Sequence, residues 1–125
     1  MQLLKKIEQS NKKPKELVSS LAGAIKKDSK LLDDFSACFK NASSVERGTL
    51  IETLEYVSQE KPEMVEKHIE AVINYLKDEA PKVKWECARV IGNIAKEYPD
   101  KASEAIPNLL VNTKDKGTVV RWSAA

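Results

Sequence analysis

Apolar residues in this chain recur at three- and four-residue intervals, the spacing that gathers them on one face of a helix. Leu17, Val18, Leu21, Ala24 and Ile25 form one such stripe, and Leu31, Leu32, Phe35 and Phe39 form the next. Leu50, Leu54 and Val57 continue the pattern, as do Val65, Ile69, Val72, Ile73 and Leu76. No segment alternates polar and apolar residues as a half-buried strand does, and Asn-Gly hairpin signals are absent. Pro14, Pro62, Pro81 and Pro99 each precede a stripe. Proline suits the first helical position, where its missing N–H would have no partner. Ser43 followed by Glu46 fits a capping box, and Ser29 and Thr118 suit N-caps. The pattern predicts helices near 2–9, 14–27, 29–40, 44–59, 62–77, 81–97, 100–113 and from 118 onward. The short connections predict antiparallel neighbours.

Displacing the chain against itself by 37 residues brings like onto like. Pro62 falls on Pro99, Leu54 on Ile91, Val57 on Ile94, Ile69 on Ile106, Val72 on Leu109 and Ile73 on Leu110. Lys77-Asp78 falls on Lys114-Asp115, Val83 on Val120 and Trp85 on Trp122. In the other direction Ile69 falls on Leu32, Val72 on Phe35 and Leu76 on Phe39. One helix pair therefore recurs about three times. A single pair cannot bury its apolar face alone, so the expected solution is a stack of pairs sharing one core. The expected organisation is one domain over 1–125, with pairs at about 14–40, 44–77 and 81–113 and the start of a further unit at 118–125.

Asp78, Val83-Lys84, Ala88, Gly92 and Ala95, followed by Ile106-Pro107-Asn108-Leu109-Leu110, resemble the HEAT repeat. Asp115, Val120-Arg121, Ala124 and Ala125 resemble the opening of another. The resemblance is good over 78–125, fair over 41–77 and weak before 41. In the second unit Glu46 stands where a valine is expected and Asn41 where an aspartate is. The resemblance implies an all-α, right-handed α-α superhelix of antiparallel helix pairs, of the HEAT or armadillo type. It specifies architecture far better than activity.

Polar rows repeat with the same period. Asn41, Asp78 and Asp115 form one, and Arg47, Lys84 and Arg121 another. The resemblance places the acid in the turn between units and the base near the start of a first helix, as a structural ladder. A third row, Lys40, Lys77 and Lys114, falls at the ends of second helices. Cations suit helix C-termini electrostatically, and the row could also contact phosphates or an acidic partner. In HEAT-like proteins the second helices line the concave face. That face would present Asp33, Asp34, Glu66, Lys67, Glu70, Asn74, Lys77, Glu104, Asn108 and Asn112.

Catalytic groups are few. His68 is the only histidine and lies in Lys67-His68-Ile69-Glu70, whereas metal-dependent HEAT-like hydroxylases use adjacent His-Glu pairs. A lone histidine on a helix flank reads as solvated. HEAT-like DNA glycosylases need a basic groove and an aromatic pair. The register puts Trp85 and Trp122 away from the concave side, in core or ridge packing. Cys38 and Cys87 lie 49 positions apart and read as reduced core residues. Gly92, inside a helix, suggests a close helix approach. No catalytic residue, metal or cofactor is expected.

Charge refines this reading. The chain of 125 residues carries a formal net charge of +2, but residues 1–30 balance to +5, 31–80 to −6 and 81–125 to +3. The mostly acidic concave face suits a protein or basic peptide better than a nucleic-acid backbone. The expected function is a non-catalytic binding scaffold. The alternative is a nucleic-acid or DNA-repair module acting through Lys5, Lys6, Lys12, Lys13, Lys15, Lys26, Lys27 and Lys30. No apolar run approaches the roughly 20 residues of a membrane-spanning helix, and no signal-peptide core opens the chain. A cytoplasmic location is expected. The stripe ending at Ala125 is about two turns into its helix, so either the natural protein continues or this end pairs with a second copy.

Overall fold

A computed structural model describes residues 2–114, and its regular structure is all-α, with no strand among the described residues. The α-helices are α1 (Gln2–Glu8), α2 (Pro14–Lys27), α3 (Phe35–Asn41), α4 (Ser44–Glu60), α5 (Pro62–Val65), α6 (Ile69–Tyr75), α7 (Pro81–Ile94), α8 (Pro99–Ser103) and α9 (Ile106–Asn112). Pro14, Pro62, Pro81 and Pro99 are each the first helical residue, where no backbone bond is lost. Ser43 and Glu46 form the full capping box: Glu46 N–H donates to Ser43 Oγ at 3.2 Å, and Ser43 N–H donates to Glu46 Oε1 at 2.8 Å.

The second helices are not continuous, and this corrects the sequence expectation. The span 29–40 divides into a 3-10 turn, Ser29–Leu32, and α3. Asp28 rather than Ser29 caps that turn, its carboxylate accepting from Lys30 N–H at 3.2 Å. The span 62–77 divides into α5, a 3-10 turn at Glu66–His68, and α6. The span 100–113 divides into α8 and α9. Pro107 accounts for that break, because it has no N–H for the carbonyl of Ser103, four residues back. α7 also ends at Ile94, about a turn earlier than its apolar stripe suggests.

The long first helices pack side by side. α4 makes its most extensive contacts with α7 and next with α2. Lys26 near the end of α2 reaches Glu60 at the end of α4, at 2.6 Å. At its middle α4 meets Lys82, at the start of α7, through Glu52 at 2.7 Å, and toward its end it meets Asn93, near the end of α7, through Ser58 at 2.9 Å. Partners advance together along both chains, so α2, α4 and α7 run parallel. Several of these bridges, and those between α6 and α9, join residues 34 to 36 apart, close to the sequence period.

α4 is sandwiched, so its buried positions are not confined to one stripe. Leu50, Ile51, Leu54 and Val57 are fully buried, and Gly48, Thr53, Glu55 and Ser58 are buried with them. Leu50, Ile51, Leu54 and Val57 join Leu21 and Ile25 of α2, Val83, Cys87 and Val90 of α7, and Phe35, Cys38, Val72 and Leu76 of the second helices in one apolar cluster. The close approach in this core is at Gly48, where an added Cβ would lie 2.9 Å from Lys82 Cδ. Gly92 is exposed with open space around it, so the expected close approach there is absent.

Leu54 sits at the centre of this arrangement. Replacing it with alanine should lower the unfolding free energy by about 2–5 kcal/mol, the usual cost of a large core truncation. Val45, 78% exposed on the same helix, should tolerate serine within about 0.5 kcal/mol. Urea denaturation of both variants checks the burial pattern, and equal losses would contradict it.

Candidate functional site

The second helices and the turns that follow them form a face held from beneath by one arginine. Arg47, in the first turn of α4, forks onto Asp78 in the turn after α6, with Nε to Oδ2 at 3.0 Å and Nη2 to Oδ1 at 3.1 Å. Such bidentate pairs fix orientation as well as distance. Nη1 also donates to the carbonyl of Ala42 at 3.3 Å, where α3 ends, and the guanidinium lies 5.8 Å from the Phe39 ring. Asp78 Oδ1 accepts from Ala80 N–H at 2.8 Å. One side chain thus links the ends of α3 and α6 and the approach to α7.

Above this node lies an open groove of about 540 Å³ lined by Ser36, Phe39, Lys40, Asn74, Tyr75, Lys77 and Asp78. The Phe39 and Tyr75 rings stack with centroids 3.7 Å apart. A second groove, of about 310 Å³, is lined by Leu76, Lys77, Lys84, Asn108, Val111 and Asn112. Phe39 and Leu76, Lys40 and Lys77, Asn74 and Val111, and Tyr75 and Asn112 are pairs 37 residues apart. The two grooves therefore occupy equivalent places one repeat apart, and Lys77 borders both.

The residues expected on this face are distributed unevenly. Asp33 is exposed and Asp34 half-buried, both in the turn before α3 rather than on a helix. Glu66 pairs with Lys101 at 3.4 Å. Lys67, Glu70, Asn74, Lys77 and Glu104 are exposed. Asn108 and Asn112 turn inward instead. Their amides donate to the carbonyls of Ile73 at 3.0 Å and Leu76 at 3.2 Å, so α9 supplies partners to the C-terminal end of α6. Asn41 donates to Ala37 O within its own helix at 2.8 Å, and Lys84 is half-buried beside the second groove. Asp115, Arg121, Trp122 and the helix expected from 118 lie outside the described residues. Trp85 is half-buried on α7. Of the lysine-rich front, Lys26 is held by Glu60, and Lys12 donates to Ser20 at 3.0 Å.

Sequence reasoning missed a polar network between α4 and α7. Glu55 is 0% exposed. Its Oε1 lies 2.8 Å from Arg89 Nη2, an electrostatic contact without hydrogen-bond alignment. Its Oε2 accepts from Asn93 at 3.1 Å and from Gln59. Arg89 also reaches Glu86 at 3.2 Å, and burial pushes the Glu86 carboxyl up from its ordinary value. The available signal was Glu55 within a helix whose apolar residues already cover several faces.

The reactive inventory is quiet. Burial pushes the Cys38 thiol up and Cys87 further, so neither favours the nucleophilic thiolate. Among the described residues, no group of three or more His, Cys, Asp or Glu is placed to hold a metal ion. No described helix is long and apolar enough to cross a membrane.

His68 corrects the expectation of a solvated histidine. It is half-buried, with its ring centroid 5.9 Å from Phe35. Burial lowers its pKa from the ordinary 6.5, Asp33 opposes that shift and Lys67 adds to it. The unfolded chain then holds the His68 proton more tightly than the folded one, so this residue favours folding less as pH falls below about 6.5. Between pH 7.5 and 5.5, unfolding free energies should move against the wild type relative to His68→Gln. A pH-independent difference would contradict the buried neutral ring.

Compared with known protein families, with curated proteins and with solved structures, the chain matches none of them.

Proposed function

We propose that this chain is a non-catalytic docking scaffold, a HEAT-like solenoid whose second helices form a concave face for an extended peptide or a protein segment. The observation that carries this reading is the pair of equivalent grooves one repeat apart on the same face. A recess that recurs with the helix pair suits a ligand that itself advances in steps, as an extended chain does. The parallel first helices give the face a firm backing, and the Arg47–Asp78 fork fixes the first groove from below. Ser36, Asn74 and Lys77 leave polar groups at the surface beside the Phe39–Tyr75 stack, a mixture that suits peptide side chains and backbone alike.

Selection of nine-residue peptides displayed on phage tests this reading. Selection should enrich related sequences whose binding is lost, at least tenfold, in Tyr75→Ala. Asn74→Arg should block the same peptides. Enrichment of nothing, or of peptides indifferent to both substitutions, would contradict docking on this face.

A further inference from the structure

The two ends of the second helices carry opposite charge. Asp33 and Asp34 precede α3, Glu66 and Glu70 lie at the start of α6, and Glu104 precedes α9. Lys40, Lys77 and Lys114 lie at the other ends, and all three are exposed. Glu70 and Lys77 are seven residues apart, which is about 10 Å along a helix. Acids thus gather toward one edge, with Lys67 and Lys101 among them, and lysines toward the other, where Asp78 is engaged by Arg47 and Glu79 is exposed; both repeated grooves open on the lysine edge.

Lys40 and Lys77 are available there. No described acid pairs with either, whereas Lys26, Lys82, Lys101, Arg47 and Arg89 each hold a carboxylate. Nor are they needed to complete the end of α6. Asn108 and Asn112 already bond the carbonyls of Ile73 and Leu76.

Phe39 stacks on Tyr75 and Asn108 bonds Ile73, so successive second helices are linked by side chains and their lysine ends follow one another along the edge. A polyproline II chain repeats every three residues and rises about 9 Å in doing so. Its positions i, i+3 and i+6 therefore share one side, so acids placed there can face lysines that recur once per helix pair. Tyr75, half-buried beside Lys40 and Lys77 and backed by the buried Phe39 ring, offers an aromatic surface of the kind against which proline rings pack.

Resting on the docking reading above, we infer that the lysine edge binds an acidic, proline-rich peptide segment with a carboxylate at every third position. Glu70, exposed on the same face, repels a polyanion that spreads beyond the edge. A short acidic segment confined to the groove avoids it.

Fluorescence anisotropy with labelled (Glu-Pro-Pro)3 at low salt tests the inference. Binding should be at least tenfold tighter than for (Lys-Pro-Pro)3, and should weaken as salt rises. It should also be at least tenfold tighter than for a peptide of three adjacent glutamates followed by six prolines. The doubly substituted Lys40→Glu, Lys77→Glu protein should lose the acidic peptide by tenfold or more. Both side chains are exposed, and far-ultraviolet circular dichroism checks that the variant keeps its helices. Equal or tighter binding of the lysine peptide, indifference to the spacing of the acids, or unchanged binding by the double variant would each overturn the inference. So would tighter binding of a thymidine 9-mer. If these probes fail while Tyr75-dependent phage peptides still bind, the acidic assignment falls and the docking reading stands. If both fail, the docking reading falls too.

Discussion

A fully buried carboxylate, Glu55, sets the relation between α4 and α7, the most extensively packed pair of helices among the described residues. Removing an ionised group from water is costly unless charge and hydrogen bonds replace the solvent. On α7 only Arg89 and Asn93 supply them, and Gln59 adds a bond from α4 itself, while Ser58 accepts from Asn93 and donates to the Glu55 backbone carbonyl. A slip of α7 along α4 by one turn would strand the carboxylate beside apolar neighbours. The apolar contacts of Leu50, Leu54 and Val57 supply affinity between these helices but little register, because leucine and valine pack acceptably in several positions. The charged network supplies that register. Gly48 allows the approach, with the aliphatic stem of Lys82 lying across it before reaching Glu52.

The rest of the face follows from that registered pair. Once α4 is fixed, Arg47 at its start is placed to meet Asp78 and the end of α3 together. Once α7 is fixed, the turn that carries Asp78 is held from the other side through Ala80. The second helices are short and broken, and they gain rigidity from their neighbours rather than from length. Phe39 stacks on Tyr75, and Asn108 and Asn112 bond carbonyls of α6. Each such link joins one unit to the next. On α9, Leu110 and Val111 are 60% and 70% exposed.

Much of this was legible in the sequence. The prolines mark helix starts because their chemistry permits little else, and the Ser43–Glu46 pair is a local motif that needs no tertiary context. The 37-residue period lies close to the 35- and 36-residue separations of the Asn108–Ile73 and Asn112–Leu76 bonds. The breaks in the second helices were hidden, because a 3-10 turn keeps apolar residues at three-residue spacing and so preserves the stripe. Pro107 was a usable warning and Asp28 a weaker one. Gly92 was misread for Gly48 because sequence alone does not say which side of a helix a neighbour occupies. Asn108 was placed on the exposed face by its register, yet a short amide beside an open helix end finds a carbonyl before it finds solvent. His68 was read as solvated because its neighbour Phe35 is 33 residues away in the chain. The division of the face into acidic and lysine edges was present in the sequence as separate rows. Their separation became visible only when the grooves were found on one of them.

The account stands on the claim that ligand contact falls on the lysine edge of the second helices. Backbone amide chemical shifts followed during titration with (Glu-Pro-Pro)3 locate that contact without any substitution. The largest changes should fall in 36–40, 74–78 and 108–114, with 12–30 and the α4–α7 contact unmoved. Changes concentrated in 12–30, or spread evenly over the chain, would contradict it.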